Sequence, residues 1–170
     1  PSSVGFLLEL LEPELGDKGL DLGSGSGWTT ALLANIVGKK GKVIGMERIK
    51  NLCSLGTNNI SKYNFLSGGR AKIVCADGSK GYINEAPYNR ILVSASADEV
   101  PADLKKQLAV GGRMVISVKD SIWMIEKKSA KVCHEDEHEG FSLVPLVQNS
   151  NKKNEKTSLT GMGVCNYFLY

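Results

Sequence analysis

The sequence lacks the features that mark secreted, membrane-bound or nucleic-acid-binding proteins. Its four cysteines form no C-x-x-C pair, which argues against a zinc knuckle or a disulfide scaffold and favours a reducing cytoplasmic location. It has no run of 18 apolar residues and no signal-peptide pattern, so no membrane association is expected. The 21 basic and 18 acidic side chains nearly balance, and the basic clusters at 38–42 and 151–153 are short, so nucleic acid is not an expected partner.

The length and composition fit one globular domain. A chain of 170 residues can bury one full hydrophobic core but is short for two, and 42% hydrophobic with 23% charged residues is an ordinary balance. We expect a domain over residues 1–147, followed by a polar tail at 148–170 whose role the sequence does not indicate.

Apolar segments of helical and strand type alternate along the first 118 residues. The spacing of Val4, Leu7, Leu8 and Leu11 predicts a helix that Pro13 stops. Further on, strands are predicted at 20–22, 42–46, 71–75, 91–94 and 114–118, with helices at 29–37, 51–63 and from 101 to a stop at Gly111-Gly112. This alternation predicts an α/β fold with a Rossmann-like, doubly wound and mostly parallel sheet.

The last part of the predicted domain has a different pattern. Ile122–Glu126 and Phe141–Val147 are two strand candidates, and the polar stretch that joins them has no apolar helical face. We therefore expect a C-terminal antiparallel hairpin, which brings the sheet to seven strands.

A glycine-rich turn follows the first predicted strand. It has the sequence Asp21-Leu22-Gly23-Ser24-Gly25-Ser26-Gly27. The third glycine of a dinucleotide-binding G-x-G-x-x-G turn is replaced by Trp28, which disfavours a pyrophosphate ligand. Glycines at this spacing let the backbone approach S-adenosylmethionine, with Asp21 near its amino and sulfonium charges. The alternative is a tight βα turn that needs glycine only for its conformation.

Two acidic positions accompany the turn. Glu47 ends the second strand about 20 residues after the turn, where a carboxylate can hold the ribose diol through two hydrogen bonds. Asp77, at the end of the third strand, can accept from the adenine amino group, and Gly78 leaves room for the ring. A plain Asp-Gly turn is the alternative for the second position. We expect both to lie at the ligand-binding edge of the sheet.

One further pattern, H-E-x-x-H from His134 to His138, is typical of zinc proteases. That motif requires a helix and a third ligand downstream, whereas this stretch is acidic, lies between two predicted strands and precedes no further histidine. No metal site is expected. Nor is a catalytic residue assigned, since a carboxylate acceptor with a pKa of about 4 is ionised at neutral pH and attacks the sulfonium methyl without a base.

Several blocks resemble protein-L-isoaspartate O-methyltransferases over residues 1–147. They are Leu20–Thr30, Gly41–Ile49, Asp77-Gly78 followed by Glu85-Ala86-Pro87-Tyr88, Val93–Ala97, Gln107–Arg113 and Val144-Pro145-Leu146. The resemblance implies the class I S-adenosylmethionine methyltransferase fold, with Arg48 among the cofactor-binding residues and Ser94 and Ala95 at the substrate. It also implies methylation of the carboxylate of isoaspartyl residues in damaged proteins, a repair activity of a cytoplasmic monomer.

The sequence departs from the family pattern in several places. Pro1 aligns with the proline of an I-S-x-P element, which places the family's substrate-facing serine outside this sequence. Asp98 replaces a proline, Asn89 an aspartate, and Val147 a threonine. Two alternatives therefore stay open: a methyltransferase with another acceptor, and an inactive homologue that binds the cofactor.

Overall fold

The structure is a computed structural model that describes residues 2–140. Its helices are α1 Ser2–Leu11, α2 Trp28–Val37, α3 Lys50–Ser61 and α4 Ala102–Gln107, with a short 3-10 turn at Ile83–Glu85. Its strands are β1 Lys18–Leu22, β2 Lys42–Glu47, β3 Ala71–Cys75, β4 Tyr88–Ala97, β5 Leu108–Val118, β6 Ser121–Lys127 and β7 Cys133–Glu139. No helix within residues 2–140 has the length and hydrophobicity needed to cross a membrane.

The strands form one sheet in the order β3-β2-β1-β4-β5-β6-β7. The first five strands in sequence are parallel, whereas β6 and β7 are antiparallel to their neighbours. The predicted doubly wound, mostly parallel seven-stranded sheet with a C-terminal hairpin is thus confirmed. The order reverses between β1 and β4, and this switch point is where open α/β sheets form a ligand crevice.

Both faces of the sheet are covered by apolar packing, which explains the nearly continuous apolar runs of its central strands. On one face, helices α1 and α2 pack with Leu33, Val43 and Leu92 in the core. On the other, Leu104 of α4 packs with Leu22 and Met114. Because β1 lies between β2 and β4, its last four residues are buried.

The second strand of the hairpin does not lie where it was predicted. β7 is Cys133–Glu139, inside the stretch expected to be a polar connection, and the predicted strand Phe141–Val147 lies outside the described residues. The register pairs Ile122 with His138 and Ile125 with Glu135. Hydrophobic patterning failed here because β7 is largely exposed, so its stability comes from backbone hydrogen bonds to β6 rather than from an apolar face.

The predicted helix stop at Gly111-Gly112 is also wrong. Helix α4 ends at Gln107, and both glycines lie within β5, which begins at Leu108. The pairing with β4 jumps from Tyr88–Leu108 to Arg90–Arg113, so the glycines occupy a bulge. Glycine serves the bulge because Gly111 has a φ of 80°.

Two cysteines expected to be reduced are joined. Cys53 of α3 and Cys75 at the end of β3 form a disulfide with a Cα–Cα distance of 5.7 Å, within the usual range. This pairing was not predicted, since 22 residues separate the two positions. They meet because α3 packs across β2 and β3. Cys133 is a free thiol.

Candidate functional site

A cavity of about 460 Å³ opens at the carboxyl ends of β1, β2, β3 and β4. Its walls include eight of the predicted site residues: Gly23, Gly25, Glu47, Arg48, Asp77, Gly78, Ser94 and Ala95. Five apolar residues that the sequence did not single out complete it: Leu22, Met46, Ile49, Leu52 and Ala76. Four of these five directly adjoin a predicted residue, so adjacency to the strand ends is the signal that could have found them. The fifth, Leu52, lies in α3, four positions after Arg48. The site is therefore a largely apolar cleft with a few polar groups.

Glu47 holds the cavity wall together. Its Oε2 accepts a hydrogen bond from the Gly25 amide at 3.0 Å, and its Oε1 accepts from the amides of Arg48 and Ile49 at 2.8 and 2.9 Å. The residue is 7% exposed. Its carboxylate thus links the glycine turn to the start of α3 and places a fixed negative charge at the edge of the cleft.

Asp21, predicted to lie near the amino and sulfonium charges of the cofactor, is not among the residues that line the cleft. It is fully buried, and its Oδ2 accepts from the hydroxyls of Thr29 and Thr30 at 2.7 and 2.6 Å. Burial raises the pKa of Asp21, and the bonds from Thr30 and Thr29 oppose that rise. Because both threonines belong to the first turn of α2, the carboxylate anchors this helix beneath the glycine turn.

The glycines of the turn have different tasks. Gly25 lines the cavity with a φ of 52°, which a side chain would strain. Gly27 serves helix packing, because a Cβ there would lie 2.9 Å from the carbonyl oxygen of Gly56 in α3. Gly56 was not predicted, because it lies in the interior of α3 and has no local signal in the sequence. The close approach of α2 to α3 needs glycine at both positions.

The serines of the turn lie away from the cleft walls. Ser24 is buried, and its amide donates to the Met46 carbonyl at 3.0 Å. The Gly23 amide donates to the same carbonyl at 2.9 Å. Ser26 and Gly27 line a separate groove between α2 and α3. These contacts hold the turn against β2, so they shape the cleft without facing it.

The Asp77-Gly78 pair combines the two interpretations that the sequence left open. Asp77 Oδ1 accepts from the Ser79 amide at 2.9 Å, a local turn contact, and the residue also lines the cleft. At Gly78 a Cβ would lie 2.9 Å from Leu22 Cδ2. The turn therefore packs directly on the end of β1, which places Asp77 at the cavity.

A buried amide on α4 tethers the same loop. Gln107 is 3% exposed, and its Nε2 donates to the carbonyl of Lys80 at 2.6 Å. A Cβ on Gly81, which has a φ of 72°, would lie 2.5 Å from Gln107 Oε1. Gln107 was not predicted as part of the site, because it contacts the loop after β3 rather than the cleft itself.

The H-E-x-x-H pattern does not form a metal site. His134 and His138 lie in β7, where four residues span about 13 Å, too far to share one ion. Among residues 2–140, no three His, Cys, Asp or Glu side chains are grouped so as to hold a metal.

The departures from the family pattern fall in different places. Asn89 Oδ1 accepts from the Lys18 amide at 2.9 Å, at the amino ends of β4 and β1, so this change lies at the edge opposite the cleft. Asp98 directly follows β4 at the carboxyl edge and lines a neighbouring depression with Lys119. Val147 lies outside the described residues.

Comparison with known proteins agrees with this architecture. The family model for protein-L-isoaspartate(D-aspartate) O-methyltransferase matches residues 1–151. The chain belongs to this family. A curated protein-L-isoaspartate O-methyltransferase of Methanopyrus kandleri is 41% identical over 151 residues, covering 86% of this chain and 66% of that protein. One of Aeropyrum pernix is 46% identical over 118 residues, covering 69% and 45%. The chain thus spans less than two thirds of the length of these relatives.

Solved structures of the same family share the fold. A Plasmodium falciparum protein assigned as a protein-L-isoaspartate O-methyltransferase, in complex with S-adenosyl-L-homocysteine, superposes with a TM-score of 0.78 at 27% identity. The match covers 88% of this chain and 75% of that one. Another protein-L-isoaspartate O-methyltransferase superposes with a TM-score of 0.79 at 25% identity, covering 88% and 48%.

Proposed function

We propose that this chain binds S-adenosylmethionine in the cleft and serves as the cofactor domain of a protein-L-isoaspartate O-methyltransferase. The observation that carries the proposal is the cleft itself, at the switch point of the sheet, with Glu47 fixed at its edge and an apolar wall beside it. The proposed substrates are isoaspartyl residues of proteins rather than nucleic acids or membranes. A monomeric state and a cytoplasmic location are part of the proposal.

The residues of the cleft fit the parts of the cofactor. A carboxylate offers about four acceptor positions, and backbone amides use three of those of Glu47, which leaves about one for a ribose hydroxyl. We therefore expect one hydrogen bond to the ribose rather than two. Ile49 is 52% exposed, so an adenine ring packed on it would gain apolar burial, with Asp77 near the ring edge.

The chemistry requires little of the protein beyond position. When bound, S-adenosylmethionine supplies an electrophilic methyl group on a sulfonium. An isoaspartyl carboxylate is ionised at neutral pH and acts as its own nucleophile. The lining of the cleft, within residues 2–140, includes no histidine, cysteine or lysine that would act as a base. Residues of the cleft would bind and orient the reactants and keep water out.

Binding is the first test. Calorimetry should detect S-adenosylhomocysteine or S-adenosylmethionine binding, and Gly25→Val should abolish it. Gly16→Val is the matched control, because both glycines have positive φ values but Gly16 does not line the cleft. The absence of binding by the wild type would contradict the proposal.

Methyl transfer is the second test. A full-length version, incubated with labelled cofactor, should label an isoaspartyl peptide and leave its aspartyl twin unlabelled. Equal labelling of both peptides would indicate another acceptor. Binding of S-adenosylhomocysteine with no labelling would identify an inactive homologue.

A further inference from the structure

We propose that the Cys53–Cys75 disulfide is a thiol–disulfide modification site that controls how tightly the cleft holds its ligand. The proposal rests on the cofactor function proposed above. The bond joins two elements that both contribute to the cleft: Leu52 immediately precedes Cys53 in α3, and Ala76 and Asp77 immediately follow Cys75.

The backbone around the bond links it closely to Glu47. Cys75 is the register partner of Glu47, and the Ala76 amide donates to the Glu47 carbonyl at 2.9 Å. On the other side, the Cys53 amide donates to the Ile49 carbonyl at 2.9 Å in the first turn of α3. The disulfide therefore closes a short ring through the cleft wall, and opening it removes the covalent link between β3 and α3.

Only one of the two bonded cysteines is accessible to a reductant. Cys75 is exposed, whereas Cys53 is 7% exposed. A dithiol reductant can attack Sγ of Cys75, which forms a mixed disulfide and releases Cys53 as a thiolate that takes up a proton. The second thiol of the reductant then attacks the mixed disulfide, releases Cys75 and leaves the reductant oxidised to its own disulfide.

In the reduced form, the Cys53 thiol has a hydrogen-bond acceptor close by. Sγ of Cys53 lies 3.2 Å from the Glu47 carbonyl oxygen, which can accept the hydrogen of the thiol once the bond is open. Both redox states are thus compatible with this fold. Disulfides of cytosolic proteins are typically transient or redox-sensing, which agrees with a switch at this position.

The experiment compares the affinity of the oxidised and reduced wild-type protein for S-adenosylhomocysteine by calorimetry. We expect reduction to weaken binding about fivefold or more, the lower end of common coupling between sites. Binding and reduction are linked at equilibrium. Saturating S-adenosylhomocysteine should therefore lower the equilibrium constant for reduction of the disulfide by dithiothreitol by the same factor. Peptide mapping without reduction should recover Cys53 and Cys75 in one linked pair.

Variants separate this effect from others. The double variant Cys53→Ser/Cys75→Ser should bind S-adenosylhomocysteine with the affinity of the reduced wild type, and reductant should not change that affinity. Reductant should weaken binding by Cys133→Ser as much as it weakens binding by the wild type. Unlinked cysteines in oxidised protein, or affinities of the two states within twofold, would overturn the proposal. So would loss of the circular dichroism spectrum on reduction, because the bond would then support the whole domain. No binding in either state would instead refute the cofactor function.

Discussion

Replacing Glu47 with glutamine tests whether this residue acts on the ligand alone or also builds the cleft. The carboxylate accepts from Gly25 on one oxygen and from Arg48 and Ile49 on the other. A glutamine has one acceptor oxygen. We expect that oxygen to take the side with two donors, which leaves the Gly25 N–H facing an NH2 group.

The expected loss follows from these three bonds. A hydrogen bond to a charged group contributes about 1.5 to 3 kcal/mol, and the variant loses one and weakens two. We expect the ligand-free Glu47→Gln protein to lose about 2 to 3 kcal/mol of unfolding free energy, or about 4 to 12 °C in Tm for a domain of this size. Urea unfolding without ligand measures it, and calorimetry with S-adenosylhomocysteine measures the accompanying loss of affinity.

Glu85→Gln is the matched control. Glu85 pairs with Lys42 at 2.8 Å, and their side chains are 25% and 38% exposed, so the same chemical change should cost less than about 1 kcal/mol. If ligand-free Glu47→Gln unfolds at the urea concentration of wild type while its affinity falls, Glu47 acts only on the ligand. The role assigned to it in holding the glycine turn would then be wrong.

Three further predictions concern the supports of the cleft. Gly27→Ala should cost about 2 kcal/mol or more in urea unfolding, because its Cβ would meet the Gly56 carbonyl, whereas Gly69→Ala, with positive φ but open space, should cost about 1 kcal/mol. Since burial raises the pKa of Asp21, its ionisation costs more in the folded protein than in the unfolded chain. Wild type should therefore lose stability relative to Asp21→Asn as the pH rises above about 4, where an aspartate in the unfolded chain ionises, and a constant difference would contradict this. Gln107→Met should weaken S-adenosylhomocysteine binding several-fold by releasing the loop after β3, and unchanged affinity would show that the tether is irrelevant to the cleft.

Much of the fold could be predicted because its signals are local. β3 has the predicted bounds, and β2 and α2 differ from prediction by one residue each. Buried parallel strands carry continuous apolar runs, and the helices between them carry a different period, so each element is visible in its own segment. The exception among the strands is β7, whose exposed and charged sequence matches neither pattern.

The cleft could be predicted in outline for a related reason. Parallel strands bring their carboxyl ends to one edge, so the residues that end β1, β2 and β3 had to meet. The sequence could not show how each side chain is used. Glu47 and Asp77 are at the cleft, yet Asp21 is buried beneath it and Gly27 serves a helix contact.

By itself, then, the sequence determined the order of the elements, the sheet edge that carries the site and the class of ligand that suits the glycine turn. Only the tertiary structure decided that Asp21 anchors α2, that Gly27 meets Gly56, and that Cys53 is bonded to Cys75. The physical reason is distance along the chain. Periodicity and turn chemistry are set by residues a few positions apart, whereas burial and contact across 22 or 29 residues depend on how helices dock on the sheet.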